Sequence, residues 1–589
     1  MAIYERLAYF GAPMRPDSSL DFRTVRGIHF IRVRGNVAER ARAHAALLRE
    51  KVAQGPIPVL IKKNEWLIRR GPGLLQNPWI QDSVVAFYKK ILVPLIDRRL
   101  EPEIRQAISG MAEELGLSYS EMRECVIQAD AMMLLARSSL MKHVLPEWIP
   151  GGLPGCTSAV AFPSWTKEGR FLACRNLDYL IVGSWERQAT VVFNEPDHPG
   201  EIPYVALTSA GVHTGGLTAM NREGLTLFTH AHFGKKVTLQ GHPIIVVGDE
   251  VIRKAKTLTQ AIDLVSRKRP FANWSFVISS AREKDAAVVQ MTPDGVRVHR
   301  VSDGLLTHTN YFHSDDFRKT EALLSGAYCE DLHARFFRMR QLLESHRGKL
   351  EPRHMAETLG DHVDFFTGQE RVFGNTLSVV TTIKSAVFEP ESLKFWMGYR
   401  QESPVGLGDF LEVDVEKFWQ RSALECEESA RIVTGFQPKS AGLLEAVRHY
   451  RSAYLSYHVE NQLEGYQEKT LAHLQRAIEA FPQDGHLWLQ GAIVAFKIHR
   501  FQEARNYLEK TLSLVLSSHV VLVRDLYLAR CLDVLGERKK AQAIYEKNIG
   551  LASEPKLRKS FKKGLSRQYR AIDATQVVVD LQFPDTFIY

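Results

Sequence analysis

The stretch Gly151-Gly152-Leu153-Pro154-Gly155-Cys156-Thr157-Ser158-Ala159-Val160, followed downstream by Arg175-Asn176-Leu177-Asp178, decides how the chain is read. A thiol beside the preceding carbonyl on a tight glycine turn attacks that carbonyl and moves the acyl group from nitrogen to sulfur; water then releases the upstream chain. Glycine at 155 leaves the attack path clear and tolerates strained dihedrals. The product is a cysteine carrying both a thiol and an α-amine. With an ordinary pKa near about 7.7 to 8, that amine exchanges protons at neutral pH and replaces the separate histidine of a cysteine–histidine pair. Gly155–Cys156 is therefore the expected autocleavage bond, and Cys156 the expected nucleophile.

The supporting charges lie close in sequence. An arginine beside a thiol favours thiolate, the role expected of Arg175. Asp178 is expected to accept a hydrogen bond from the α-amine and orient it. Cys156 to Phe162 and Arg170 to Cys174 flank the polar turn Thr166-Lys167-Glu168-Gly169, which reads as a hairpin bringing Cys156, Arg175 and Asp178 together. Acyl transfer also needs donors at the developing oxyanion, and Asn310, in Thr307-His308-Thr309-Asn310-Tyr311-Phe312, is the candidate. Each residue has a plainer reading: a buried small apolar cysteine, an Arg175–Asp178 structural ion pair, an asparagine satisfying a turn. Gly155 before Cys156 and the Arg-Asn-x-Asp after it favour the nucleophile, whereas Cys174 reads as core.

In order, Gly155-Cys156-Thr157, Arg175-Asn176-Leu177-Asp178-Tyr179, Met220-Asn221-Arg222-Glu223-Gly224-Leu225 and Thr309-Asn310-Tyr311-Phe312 resemble the N-terminal nucleophile (Ntn) hydrolases of the acyl-coenzyme A:6-aminopenicillanate acyltransferase type (peptidase family C45). More distantly they resemble choloylglycine hydrolases. The resemblance covers roughly the first 415 residues, and the ordered set is more specific than any one motif. It implies an α+β fold, the αββα sandwich, with catalytic Cys156, Arg175, Asp178 and Asn310. It also implies that Gly27 to Lys51 and Glu103 to Leu135 belong to a pro-region that stays bound after cleavage. One departure is present. Where the family commonly places an asparagine, this chain reads Thr229-His230-Ala231-His232, so the side chain or backbone N–H of His230 is the candidate second oxyanion or substrate contact.

Working outward, Asn36 with Glu39 and Ser118 with Glu121 make capping boxes, and Pro102 opens a helix that stops at Gly116. Beyond the hairpin, strands are expected at Ala189 to Asn194, Pro203 to Ser209, Leu225 to Thr229, Pro243 to Val247, Ser275 to Ser279, Ala287 to Met291 and Val296 to Val301. Thr257 and Gln260 open a helix between them, and Thr376 to Val380 with Ala386 to Met397 is the expected closing hairpin. From about 441 an internal repeat appears: Thr470, Leu474 and Ala477 are matched by Ala504, Leu508 and Thr511, and Ala492, Ala504 and Leu508 by Ala529, Ala541 and Tyr545. The spacing resembles tetratricopeptide repeats, although Pro482 is matched by Leu516. The expected organisation is 1–155, a helical pro-region; 156–415, the catalytic layers; 416–440, a linker; 441–570, an all-α region of tetratricopeptide-like repeats; and 571–589, a C-terminal tail.

Composition narrows the classes. The chain of 589 residues is 45% hydrophobic and 24% charged, with a formal net charge of +9 spread along it, so nucleic-acid binding is not indicated. The first 26 residues lack the apolar run of a secretory signal, and the best apolar window, Val84 to Ile96, is broken by Lys89, Lys90 and Pro94, so no transmembrane segment is expected. Six cysteines without a Cys-x-x-Cys pair suit a reducing, cytoplasmic setting. His230, His232, His308 and His313 match no metal-ligand spacing, so no metal or other cofactor is expected. The basic run from Lys556 to Arg570 reads as a solvated helix face.

The function expected is a self-processing cysteine amidohydrolase or acyltransferase acting on a small-molecule N-acyl amide or acyl thioester. The alternative is a catalytically degenerate scaffold whose helical repeats bind a protein partner. A third reading, a thiol enzyme using His308 or His230 as base, predicts activity without cleavage.

Overall fold

The computed structural model describes residues 21–69, 75, 77–137, 155–322, 325–420, 431–461 and 463–585. The readings of the first twenty residues, of the turn Gly151–Pro154 and of Cys426 lie outside them.

Two sheets form the centre. The larger runs β1 (Phe22–Val25), β2 (Ile28–Arg34), β5 (Ala189–Glu195), β6 (Tyr204–Ser209), β7 (Thr218–Asn221), β8 (Leu225–His232), β9 (Asn273–Ser280), β10 (Asp285–Thr292), β11 (Gly295–Val301). The smaller runs β12 (Leu305–His308), β3 (Cys156–Ala161), β4 (Leu172–Asp178), β13 (Thr382–Glu389), β14 (Lys394–Gly398), β15 (Phe410–Asp414), β16 (Ile432–Val433). All pairs are antiparallel except β2 with β5. Because side chains alternate across a strand, each sheet offers two faces. Phe30, Val191 and Phe228 of the larger meet Val160, Ala173 and Phe388 of the smaller in the core between them.

Helices cover both outer faces. Val37–Val52, Tyr119–Arg137, Ile244–Lys254 and Leu258–Ser266 lie on the larger sheet. Gly326–Glu344 and Pro352–Leu359 lie on the smaller, where Met339, Leu343 and Met355 pack on Ala159 and Cys174. The mixed α/β body is thus four layers, helix–sheet–sheet–helix.

Local signals explain the element ends. Asn36 Oδ1 accepts the Ala38 and Glu39 N–H groups at 2.9 and 3.0 Å while Glu39 returns to the Asn36 N–H at 2.8 Å. Gly116, at φ 64°, closes the helix Pro102–Leu115 in the left-handed region that favours glycine. Two strand expectations fail. Pro243 to Val247 is the start of a helix, since Ile244, Val247, Val251 and Ile252 are buried at helical spacing. Thr376 to Val380 forms no strand, and the closing hairpin is β13 with β14. The upstream segment, read as mainly helical, also contributes β1 and β2, and β2 lies inside the larger sheet.

Among the described residues, seven helices follow the sheets, from Leu443–His458 to Pro555–Ser566. The repeated positions Thr470, Leu474, Ala477, Ala492, Ala504, Leu508, Thr511, Ala529, Ala541 and Tyr545 are all buried. This region docks on the layers: Arg371 pairs with Asp484 at 3.2 Å, and the Phe373 ring stacks on Tyr450 with centroids 4.3 Å apart. The segment after residue 576, read as a tail, is buried at Val577, Val579 and Leu581.

Candidate active site

The register of β3 and β4 sets Cys156 opposite Leu177 and Ser158 opposite Arg175. From there Arg175 Nη2 donates to Cys156 Sγ at 2.9 Å and to the Thr229 carbonyl at 2.7 Å. Nη1 donates to the Leu217 carbonyl and, at 2.9 Å, to Thr218 Oγ1. The planar fork, 1% exposed, is held by acceptors from three segments, a geometry an ammonium cannot reproduce. Burial pushes the Cys156 thiol up from its ordinary value and Arg175 pulls it back in part, which on balance favours the protonated thiol.

Asn310 follows β12. Its Oδ1 accepts the Cys156 N–H at 2.7 Å, and its Nδ2 donates to the Ala231 carbonyl at 2.9 Å. The amide therefore holds the nitrogen of the expected cleavage bond, while its own hydrogens point to the backbone of β8. Asp178, at the end of β4, addresses the other half of that bond. Its backbone N–H donates to the Gly155 carbonyl at 3.0 Å. Its carboxylate accepts from Thr382 Oγ1 at 2.7 Å through Oδ1, and the buried Oδ2 has no partner among the described residues. A Cβ on residue 155 would stand 3.0 Å from that Oδ2, a steric reason for glycine there. Burial raises the Asp178 carboxyl to about 6, opposed mainly by Arg335.

Arg335 escaped the sequence reading. It projects from the helix Gly326–Glu344 and donates through Nη1 to the Cys156 carbonyl at 3.0 Å and to Thr157 Oγ1 at 2.9 Å. Its Nε donates to Asp331 Oδ2 at 2.8 Å, both groups being buried. The sequence signal is an acid–base pair four residues apart, but the same helix carries another, Arg340–Glu344, whose side chains are 45% and 42% exposed. Spacing alone does not separate them.

His232, His308 and His313 are linked in a chain through Ser275, and His230 bonds separately to Ser158; together they form no cage. His230 Nε2 shares a hydrogen bond with Ser158 Oγ at 2.7 Å, His232 Nε2 with Ser275 Oγ at 2.8 Å, Ser275 Oγ with His308 Nε2 at 2.7 Å, and His308 Nδ1 with His313 Nε2 at 3.0 Å. Burial lowers all four, His232 to about 3 and His313 to about 4, so they are neutral at pH 7. Among the described residues, no cluster of His, Cys, Asp or Glu stands ready for a metal ion, and no helix is long and apolar enough to cross a membrane.

A pocket opens beside Cys156, lined in part by Leu60, Val126, Leu177, Trp185 and Trp274. Its wall is mainly aliphatic and aromatic, with the carboxyl of Asp130 raised to about 7 by burial.

No curated protein matches the chain. Among solved structures, an N-acylethanolamine-hydrolyzing acid amidase ortholog from Caenorhabditis elegans is 19% identical, with a TM-score of 0.29, over 40% of this chain and 93% of that one. A mutant conjugated bile acid hydrolase from Clostridium perfringens is 12% identical, with a TM-score of 0.31, over 48% of this chain and 98% of that one. A family model described as acyl-coenzyme A:6-aminopenicillanic acid acyl-transferase matches residues 165–403, under half of the chain, a span that includes Arg175, Asp178, His230 and Asn310 and begins just after Cys156.

Proposed function

We propose that this protein is a self-processing cysteine amidohydrolase or acyltransferase whose acyl-enzyme forms on Cys156. The observation that carries the reading is the set of contacts around one bond: Arg175 Nη2 on Cys156 Sγ, Asn310 Oδ1 on the Cys156 N–H, and the Asp178 N–H on the Gly155 carbonyl oxygen. The match to an acyl-transferase family over residues 165–403 supports it independently.

In processing, Sγ loses its proton and bonds to the Gly155 carbonyl carbon, and the oxyanion takes the Asp178 N–H. The C–N bond then breaks, the Cys156 nitrogen gains the proton, and water hydrolyses the resulting thioester. The freed α-amine stays on Asn310 Oδ1, and β2, hydrogen-bonded within the larger sheet, keeps the 1–155 piece attached. In turnover the α-amine takes the thiol proton, Sγ adds to the substrate carbonyl, and the ammonium returns the proton to the departing nitrogen. Water, or an amine acceptor, then releases the acyl group. The apolar cavity beside Cys156 suits the acyl half of an N-acyl amide or acyl thioester. His230, bonded to Ser158, is assigned a supporting place in the oxyanion region through β8.

Intact mass measurement tests this directly. Fragments of residues 1–155 and 156–589 are expected for the wild type and a single chain for Cys156→Ala; an equally intact chain in both removes self-processing. A thiol-directed acyl probe separates the scaffold alternative, in which Cys156 stays unlabelled while removal of residues 437–589 abolishes a partner interaction made by tetratricopeptide-like helix pairs.

A further inference from the structure

We infer that the last segment of the chain, residues 577–585, forms one wall of the active site and that Phe583 limits the size of the amine half of the substrate. The inference rests on the amidohydrolase reading above and extends the site to the helical region.

The segment leaves the helical region with Val577, Val579 and Leu581 in that region's core. Tyr450 Oη donates to the Leu581 carbonyl at 2.7 Å, and Gln490 Nε2 donates to the carbonyls of Asp580 and Phe583 at 2.9 and 2.5 Å. The next odd position, Phe583, instead joins the core that contains Cys156, and its ring meets Tyr328 edge-on with centroids 5.6 Å apart. Asp585 then accepts from Ser325 Oγ and from the Ala327 N–H, each at 3.1 Å. The segment is thereby tied to the start of the same helix whose Arg335 holds the Cys156 carbonyl.

Phe583 borders a second, small pocket, shared with Gly155, Asp178, Asp331, Arg335 and Thr381. Cys156 borders one cavity and Gly155 the other, so the two flank the cleavage bond. Both walls are mainly apolar, but their charged groups differ: Asp130 lines the thiol side, whereas Asp178, Asp331 and Arg335 line the Gly155 side, and Asp178, 1% exposed, has an Oδ2 without a partner among the described residues. A buried acceptor without a donor favours a ligand group that brings an N–H or O–H to it. The amine half, which brings an N–H, therefore belongs against Asp178, with the Phe583 ring closing the far side, and the acyl half lies beside the thiol.

The test compares alkylation of Cys156 by iodoacetamide and by N-benzyliodoacetamide, read by mass on the peptide containing Cys156. In both, Sγ displaces iodide and the N-substituent projects as the amine half. The rate ratio, benzyl over unsubstituted, is expected to rise about tenfold in Phe583→Ala and less in Phe583→Leu, the scale on which a pocket discriminates bulk. Ile572→Ala, at an exposed position before the segment, is expected to leave the ratio unchanged. A ratio unmoved in folded Phe583→Ala, an equal rise in Ile572→Ala, or no alkylation of Cys156 by either reagent overturns the inference. Processing is scored separately by intact mass, so an uncleaved chain that shows the ratio change keeps the wall and loses the hydrolase reading.

Discussion

Replacing Arg175 by Met removes the one cation bonded to the Cys156 thiol among the described residues and is the sharpest test of what sets the titration of that thiol. At 2.9 Å the Nη2–Sγ contact has a Coulomb ceiling of about 6 kcal/mol at an effective dielectric of about 20. The net worth of a hydrogen bond to a charged group is about 1.5 to 3 kcal/mol, which at about 1.36 kcal/mol per unit raises the thiol pKa by about one to two further units. The pH midpoint of iodoacetamide alkylation at Cys156 therefore moves up by that amount, and the rate at a fixed pH below both midpoints falls about 10- to 100-fold. The substitution also strands the Thr229 and Leu217 carbonyls and Thr218 Oγ1, so rates are compared at equal folded fraction, measured by near-UV circular dichroism. Arg175→Lys restores part of the shift through charge, without the fork. A midpoint in folded Arg175→Met that coincides with wild type refutes the claim that this guanidinium sets the thiolate.

Three further outcomes follow from the site. Asn310→Leu, which loses the Oδ1 acceptor on the Cys156 N–H, slows processing about 100-fold, whereas Asn310→Asp, which keeps an acceptor and loses the Nδ2 donor, slows it much less; time courses of intact mass distinguish them, and equal defects would assign the role to Nδ2. Asp178 is held at about 6 against an ordinary 3.8, so the folded state binds its proton more tightly than the unfolded state; ionisation costs stability that is absent below about pH 4 and reaches about 3 kcal/mol above pH 6. Asp178→Asn, still able to accept from Thr382, therefore raises the melting temperature at pH 8 but not at pH 4, and an equal change at both values contradicts this. Arg335→Met leaves Asp331 buried and uncompensated and costs about 3 to 5 kcal/mol in urea unfolding, while the double variant with Asp331→Leu recovers a large part of it.

Much of the architecture could be read from local chemistry. Capping boxes at Asn36 and Ser118 act within one helical turn, and the β3–β4 hairpin follows from strand patterning on either side of a polar turn, so Cys156 and Arg175 were paired from sequence. Pro243 to Val247 was misread because five apolar residues fit a strand as well as a helix; only the burial of Val251 and Ile252 one and two turns on settles the period. The backbone N–H of Asp178 addresses Gly155 and its carboxylate Thr382, and the sequence does not give the second contact, because the side-chain direction at a strand end depends on β13, more than two hundred residues away.

The sequence by itself determined that Cys156, Arg175 and Asp178 lie together, since they sit on one hairpin and their placement follows from strand register. Tertiary structure alone decided which amide holds the Cys156 nitrogen, that Arg335 rather than Arg340 reaches the Cys156 carbonyl, and that the C-terminal segment lies against Gly155. Those contacts join residues more than 150 positions apart. No local propensity encodes them; they exist because burying the two sheet faces and the helical core brings those side chains to one place.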